Sequence, residues 1–107
     1  WKHYAIFFFG TLYHLRHPLL ALDRLAAVCK HELYVESAIL DDFSPYRGGL
    51  GNGYPGGQML AEFYPESQYG NNPTNWWVPT LGCLVHIIRS AGFQKVEGCK
   101  LVKTPTE

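Results

Sequence analysis

The run Tyr4-Ala5-Ile6-Phe7-Phe8-Phe9, closed by Gly10, limits what this chain can fold into more than any other feature. Six consecutive apolar or aromatic residues leave no polar face. As a strand they read as one covered on both sides, the pattern of a central strand in a parallel sheet. Parallel strands need a crossover, and PLLALDRLAAVCK supplies it, because Pro18 lacks an amide proton that would have no partner in the first helical turn. Leu19, Leu22, Leu25, Ala26 and Cys29 recur at helical spacing while Asp23, Arg24 and Lys30 take the other side, so this helix covers a sheet. LYVESAIL follows as a second buried strand, with Glu36 as an acidic interruption near its middle or exit that needs a partner.

The middle of the chain breaks this rhythm. DDFSPYRGGLGNGYPGGQ concentrates turn formers, so residues 41–58 are expected to be a flexible Gly/Pro-rich loop within one domain spanning 1–107. MLAEFY reads as a short strand or turn packed by Met59, Leu60, Phe63 and Tyr64, and PESQYGNNPTN returns to turn chemistry. Thr80 can cap a helix over 80–91 that carries Leu81, Leu84, Val85 and Ile88 on one side, Arg89 near its end and Gly92 as its stop. FQKVE and CKLVK read as short strands meeting at Gly98. The order β, α, β, loop, α, β predicts an α/β fold with three layers, and 107 residues suit one small domain.

Composition narrows the function. Nine Lys and Arg balance nine Asp and Glu, which gives no general attraction for a nucleic-acid backbone or an anionic membrane. No apolar stretch reaches the roughly 18 residues of a spanning helix, and the N-terminal apolar run lacks a charged leader and cleavage site. Cys29, Cys83 and Cys99 are odd in number and widely spaced, which favours free thiols in a reducing compartment; a soluble cytoplasmic protein without a membrane partner is expected. His14 with His17, and Cys83 with His86, fall short of a four-ligand zinc set, so no metal is expected. Asp41 and Asp42 read as solvated carboxylates and Cys83 as a packing residue. Gly51, Gly53, Gly56 and Gly57 lack the preceding strand and following helix of a phosphate cradle.

FFFGTLYHLRHPLLALDRL, then LYVES, then NWWVPTLGCLVHIIRSAGFQKVE together resemble the C-terminal half of a class I S-adenosylmethionine-dependent methyltransferase. Within that class they are most similar to the tRNA wobble-uridine enzymes that use carboxy-S-adenosylmethionine. The resemblance implies a partial three-layer Rossmann-like fold, truncated before the fourth strand. The LYH segment would follow that strand, VES would lie in the fifth, and the Trp-x-Pro segment would introduce the next long helix. The family's glycine-rich cofactor loop and ribose-contacting acid have no counterpart in this chain, so S-adenosylmethionine or carboxy-S-adenosylmethionine is expected for the complete enzyme and the isolated chain is expected to lack a complete site.

The resemblance also assigns candidate residues. Tyr13 matches a tyrosine near bound cofactor, and Arg16, which can grip a carboxylate or phosphate, joins it as a cofactor contact. His14 is the candidate catalytic residue because an imidazole can exchange a proton with an acceptor. Asn75, Trp76 and Trp77 are expected on the acceptor side, where indoles can stack on a base. Glu36 is a lesser candidate for a cofactor or acceptor contact, and Tyr46 and Arg47 join the pocket if the long loop folds over it. The leading reading is a methyltransferase fragment whose acceptor is RNA, such as tRNA, or a small molecule. The alternative is a catalytically inactive binding or assembly module, with a homo-oligomer completing or covering an exposed sheet edge.

Overall fold

The apolar run forms strand β1, His3–Phe9, and helix α1, Pro18–Val28, leads directly into β2, Cys29–Glu36, in a computed structural model that describes residues 2–55 and 57–100. β1 and β2 pair in parallel, with Phe7 opposite Tyr34 and Phe9 opposite Glu36. Pro18 stands in the first turn of α1, as its missing amide allows. Gly10 takes φ +60 and donates its N–H to the Glu36 carbonyl at 3.0 Å, so the chain turns sharply out of the sheet into a 3-10 turn, Leu12–His14.

The expected cover on both faces of β1 is half present. Leu12, Leu22 and Leu84 form a buried cluster, and Phe8 and Leu33 pack against it from the sheet. Alternation along the strands then turns Phe7, Phe9 and Tyr34 to the other face, where they are 66%, 54% and 43% exposed. Phe7 and Tyr34 stack there at 5.1 Å. An unbroken apolar run cannot reveal that both helices lie on one side.

The segment expected to be a flexible loop carries a hairpin. β3, Phe43–Ser44, and β4, Gly49–Leu50, pair antiparallel around the 3-10 turn Pro45–Arg47. Gly48, Gly49 and Gly51 adopt the positive φ values that the turn needs. Gly53 has a different reason: a Cβ there would lie 2.2 Å from the Asp41 carbonyl oxygen. MLAEFY contributes β5, Ala61–Phe63, which pairs antiparallel with β6, Trp77–Pro79. The described residues thus form a mixed α/β domain with three two-stranded sheets and two helices.

Helix α2, Leu81–Ser90, starts at Thr80, whose hydroxyl accepts from the Cys83 N–H and donates to the Gln58 carbonyl. Asp41 Oδ1 accepts from the Leu81 N–H at 2.8 Å, so this carboxylate adds a second cap where the sequence suggested only solvation. Asp42 pairs with Lys100 at 3.2 Å. Gly92, at φ +116, ends the helix. The strands expected from FQKVE and CKLVK are absent over residues 93–100, and residues 101–103 lie outside the described part. That tail runs beside α2, where a Cβ on Gly98 would meet Val85 Cγ2 at 2.7 Å, and so finds no strand edge to join.

A polar pin holds the second half together. Leu40, Tyr64 and Val78 form a buried cluster beside Tyr13, Tyr54 and Tyr69. Glu62 points inward from β5 and its carboxylate accepts from Ser44 Oγ at 2.8 Å, Tyr54 OH at 2.6 Å and Tyr64 OH at 2.8 Å. Ser44 and Tyr64 are fully buried, so losing that acceptor strands hydroxyls that water cannot reach. Glu62→Ala is expected to lower unfolding free energy by about 2–4 kcal/mol in denaturant titration. Burial, followed by the hydrogen bond to Glu62 and its charge, pushes the Tyr64 phenol far above the ordinary tyrosine value of 10.0. Above about pH 10 the unfolded chain then releases this proton while the folded chain keeps it, so stability falls as pH rises. Tyr64→Phe should make that alkaline decline shallower, as read from unfolding curves at a series of pH values.

Candidate functional site

The chain leaves β1 at Gly10 and is fixed again by buried Leu12, which leaves Tyr13, His14 and Arg16 at the carboxyl ends of the two parallel strands. The structure joins this turn to the tryptophan segment. The Trp76 N–H donates to the Tyr13 carbonyl at 2.8 Å, and Trp77 Nε1 donates to the Arg16 carbonyl at 3.3 Å. His14 Nδ1 lies 2.9 Å from the Thr74 carbonyl, an acceptor only, so Nδ1 carries the proton and donates. The neutral ring then has Nε2 available as an acceptor.

Arg16 lies over the Trp76 ring at 4.8 Å, and Phe63 stacks against the same indole at 6.1 Å and against Trp77 at 4.7 Å. The indoles are therefore packed among their neighbours rather than standing as bare platforms, while Phe63 itself is 36% exposed. Asn75 is buried; its Nδ2 donates to the Tyr69 carbonyl at 2.8 Å, and its Oδ1 has no partner among the described residues. Tyr46 donates to the Phe63 carbonyl at 2.7 Å and Arg47 lies over Tyr54 at 4.7 Å, so the loop does fold back onto β5.

Tyr13 and Glu36 meet at Gly10. A Cβ at position 10 would lie 3.8 Å from the Tyr13 hydroxyl and 3.9 Å from Glu36 Oε1. Glu36 is exposed, so solvent satisfies the charge that the sequence reading wanted paired. Burial raises the Cys83 thiol pKa, the opposite of what a nucleophile needs. Among the described residues no group of three His, Cys, Asp or Glu side chains is placed to hold a metal ion. No described helix is long and apolar enough to cross a membrane.

Sequence reasoning missed Phe63, Thr74 and Glu62. Only Glu62 left a signal, as the one charged residue in the short apolar run MLAEFY. Thr74 holds His14 and Phe63 braces both indoles through contacts that only the fold creates. An adenosyl group at this edge would meet the Tyr13 hydroxyl beside Gly10 and the Arg16 guanidinium over Trp76. The Gly53 position is filled by the Asp41 backbone and forms no cradle for such a group.

No family model matches the chain, and no solved structure matches it. Among curated proteins it is similar to a tRNA U34 carboxymethyltransferase of Syntrophotalea carbinolica, 32% identical over 94 residues that make up 86% of this chain and 24% of that protein. The chain spans about a quarter of the length of the curated relative it matches. The likeness is distant and partial.

Removing the cation from the indole face tests the geometry directly. Arg16→Ala should cost about 0.5–1 kcal/mol at this exposed position and alter tryptophan emission, both read from fluorescence-monitored unfolding.

Proposed function

We propose that this chain is the acceptor-side half of an S-adenosylmethionine-dependent methyltransferase-type domain, related to the wobble-uridine carboxymethyltransferases. In its complete form it transfers a methyl or carboxymethyl group to RNA or a small acceptor. The observation that carries this reading is the joining of the Tyr13 to Arg16 turn with the Thr74 to Trp77 segment, 60 residues away, at the carboxyl ends of two parallel strands. Open α/β sheets bind their ligands at that edge. The partial similarity to a tRNA U34 carboxymethyltransferase supports the same conclusion.

S-adenosylmethionine, or its carboxylated form, supplies an activated carbon on sulfur when bound. The protein's task is then chiefly to position the acceptor in line with that carbon. Tyr13 and Arg16 hold the polar end of the cofactor. His14 has Nδ1 committed to Thr74, which leaves Nε2 to take a proton from the acceptor. Asn75, Trp76 and Trp77 form the wall behind the acceptor, stiffened by Phe63.

Calorimetric titration with S-adenosylmethionine and with carboxy-S-adenosylmethionine tests the assignment. Stoichiometric binding of either supports the assignment, and Tyr13→Phe should then weaken it about fivefold through the loss of one hydrogen bond. A folded chain that binds neither overturns autonomous cofactor binding. It then favours the second reading, a non-catalytic assembly module, which the exposed Phe7, Phe9 and Tyr34 face supports. Self-association abolished by Phe7→Asp is the matching outcome in sedimentation.

A further inference from the structure

Glu36 and the Tyr13 hydroxyl form an arrangement that the reading above does not use. Both lie within 4 Å of the single point where a side chain on residue 10 would begin, and residue 10 is a glycine at φ +60. Neither group makes a hydrogen bond to the other or to any other described residue. A carboxylate can only accept when ionised, whereas a phenol readily donates. The pair therefore presents an acceptor and a donor beside Gly10 at the carboxyl edge of the parallel strands.

Both partners are held in place. Glu36 is the last residue of β2 and its carbonyl accepts from the Gly10 N–H. The Tyr13 ring packs against the Leu40, Tyr64 and Val78 cluster and lies 4.5 Å from the His14 ring, which Thr74 fixes in turn. With the Tyr13 ring and the Glu36 backbone fixed, only the exposed Glu36 side chain has to be ordered when a ligand arrives, which keeps that cost small.

The geometry points to Glu36 and Tyr13 as the pair that grips the acceptor base of this transferase, through an N–H and the carbonyl adjacent to it on a uracil ring. The N–H donates to Glu36, and the ring carbonyl accepts from Tyr13. This rests on the transferase reading above, with its relative acting on U34. Tyr13 can serve both cofactor and acceptor because the transferred carbon must come within about 3–3.5 Å of the atom it joins. A hydroxyl that held the transferred group's end of the cofactor would then lie at the acceptor as well. Charge favours the assignment too, since an N–H donated to a carboxylate is stronger than one donated to a neutral oxygen.

Uridine and N3-methyluridine, which lacks the N–H, are the probes, titrated into the isotope-labelled chain by nuclear magnetic resonance. Uridine should bind about fivefold more tightly, with the largest shifts at Gly10, Tyr13 and Glu36. Glu36→Ala should erase that preference; the side chain is exposed, so the variant should keep the fold, as the rest of the spectrum will show. Equal binding of the two nucleosides, or a preference that survives Glu36→Ala, overturns the pairing. S-adenosylhomocysteine in a parallel titration separates the two levels. If it binds while the nucleosides are indistinguishable, the base-gripping pair is wrong and the transferase reading stands. If the uridine preference holds without it, the pair stands as a uracil contact and autonomous cofactor binding by this chain falls.

Discussion

The parallel ladder between His3–Phe9 and Cys29–Glu36 sets the position of everything that follows. It exists because α1 returns the chain in the direction from which it came, and Leu22, fully buried on that helix, closes the crossover against the sheet. Once the strands are in register, Gly10 and Glu36 stand side by side and the Gly10 N–H finds the Glu36 carbonyl. The turn that carries Tyr13, His14 and Arg16 must then leave from the carboxyl edge. A glycine is required there because the backbone takes a positive φ that side chains disfavour.

The second half is attached to that edge by main-chain bonds rather than by apolar burial alone. Trp76 donates to Tyr13 from one side and accepts from the Tyr64 N–H on the other, so β5 and β6 are tied to the LYH turn through a single residue. Glu62 then gathers the hydroxyls of Ser44, Tyr54 and Tyr64 around one carboxylate. A half-buried charge with no ion-pair partner among the described residues is costly in isolation, and here hydroxyl donors offset the lost hydration. Burial and the bond to Glu62 keep the Tyr64 phenol protonated and the bond to Glu62 does so for Tyr54, so the polar pin weakens toward the alkaline side.

The uncovered face of the ladder gives the fold an unusual asymmetry. Parallel strands usually carry helices on both sides, yet α1 and α2 pack on the side of Phe8 and Leu33, leaving Phe7, Phe9 and Tyr34 open. Those rings stack on one another, which shields some of their surface, and the Tyr34 hydroxyl donates to Glu32 at 3.0 Å. The face and the carboxyl edge are separate features of the same two strands. Alternation governs the face, and the ends of the strands govern the edge.

By itself the sequence determined the parallel β-α-β unit, the start of α1 at Pro18, the cap and stop of α2 at Thr80 and Gly92, and the residues at the carboxyl edge. Each of these rests on local geometry or on periodicity over a few turns, which neighbours in sequence suffice to specify. Only the tertiary structure decided that Thr74 would hold His14 and that Arg16 and Phe63 would close on Trp76. It also decided that Asp41 would cap a helix 40 residues away and that Glu62 would collect hydroxyls from two other segments. Those contacts join residues far apart in the chain, where no spacing rule applies and where packing of whole elements selects which polar groups meet. Over residues 93–100 the expected strand structure is absent for the same reason, because a β-prone segment becomes a strand only where the fold offers it an edge.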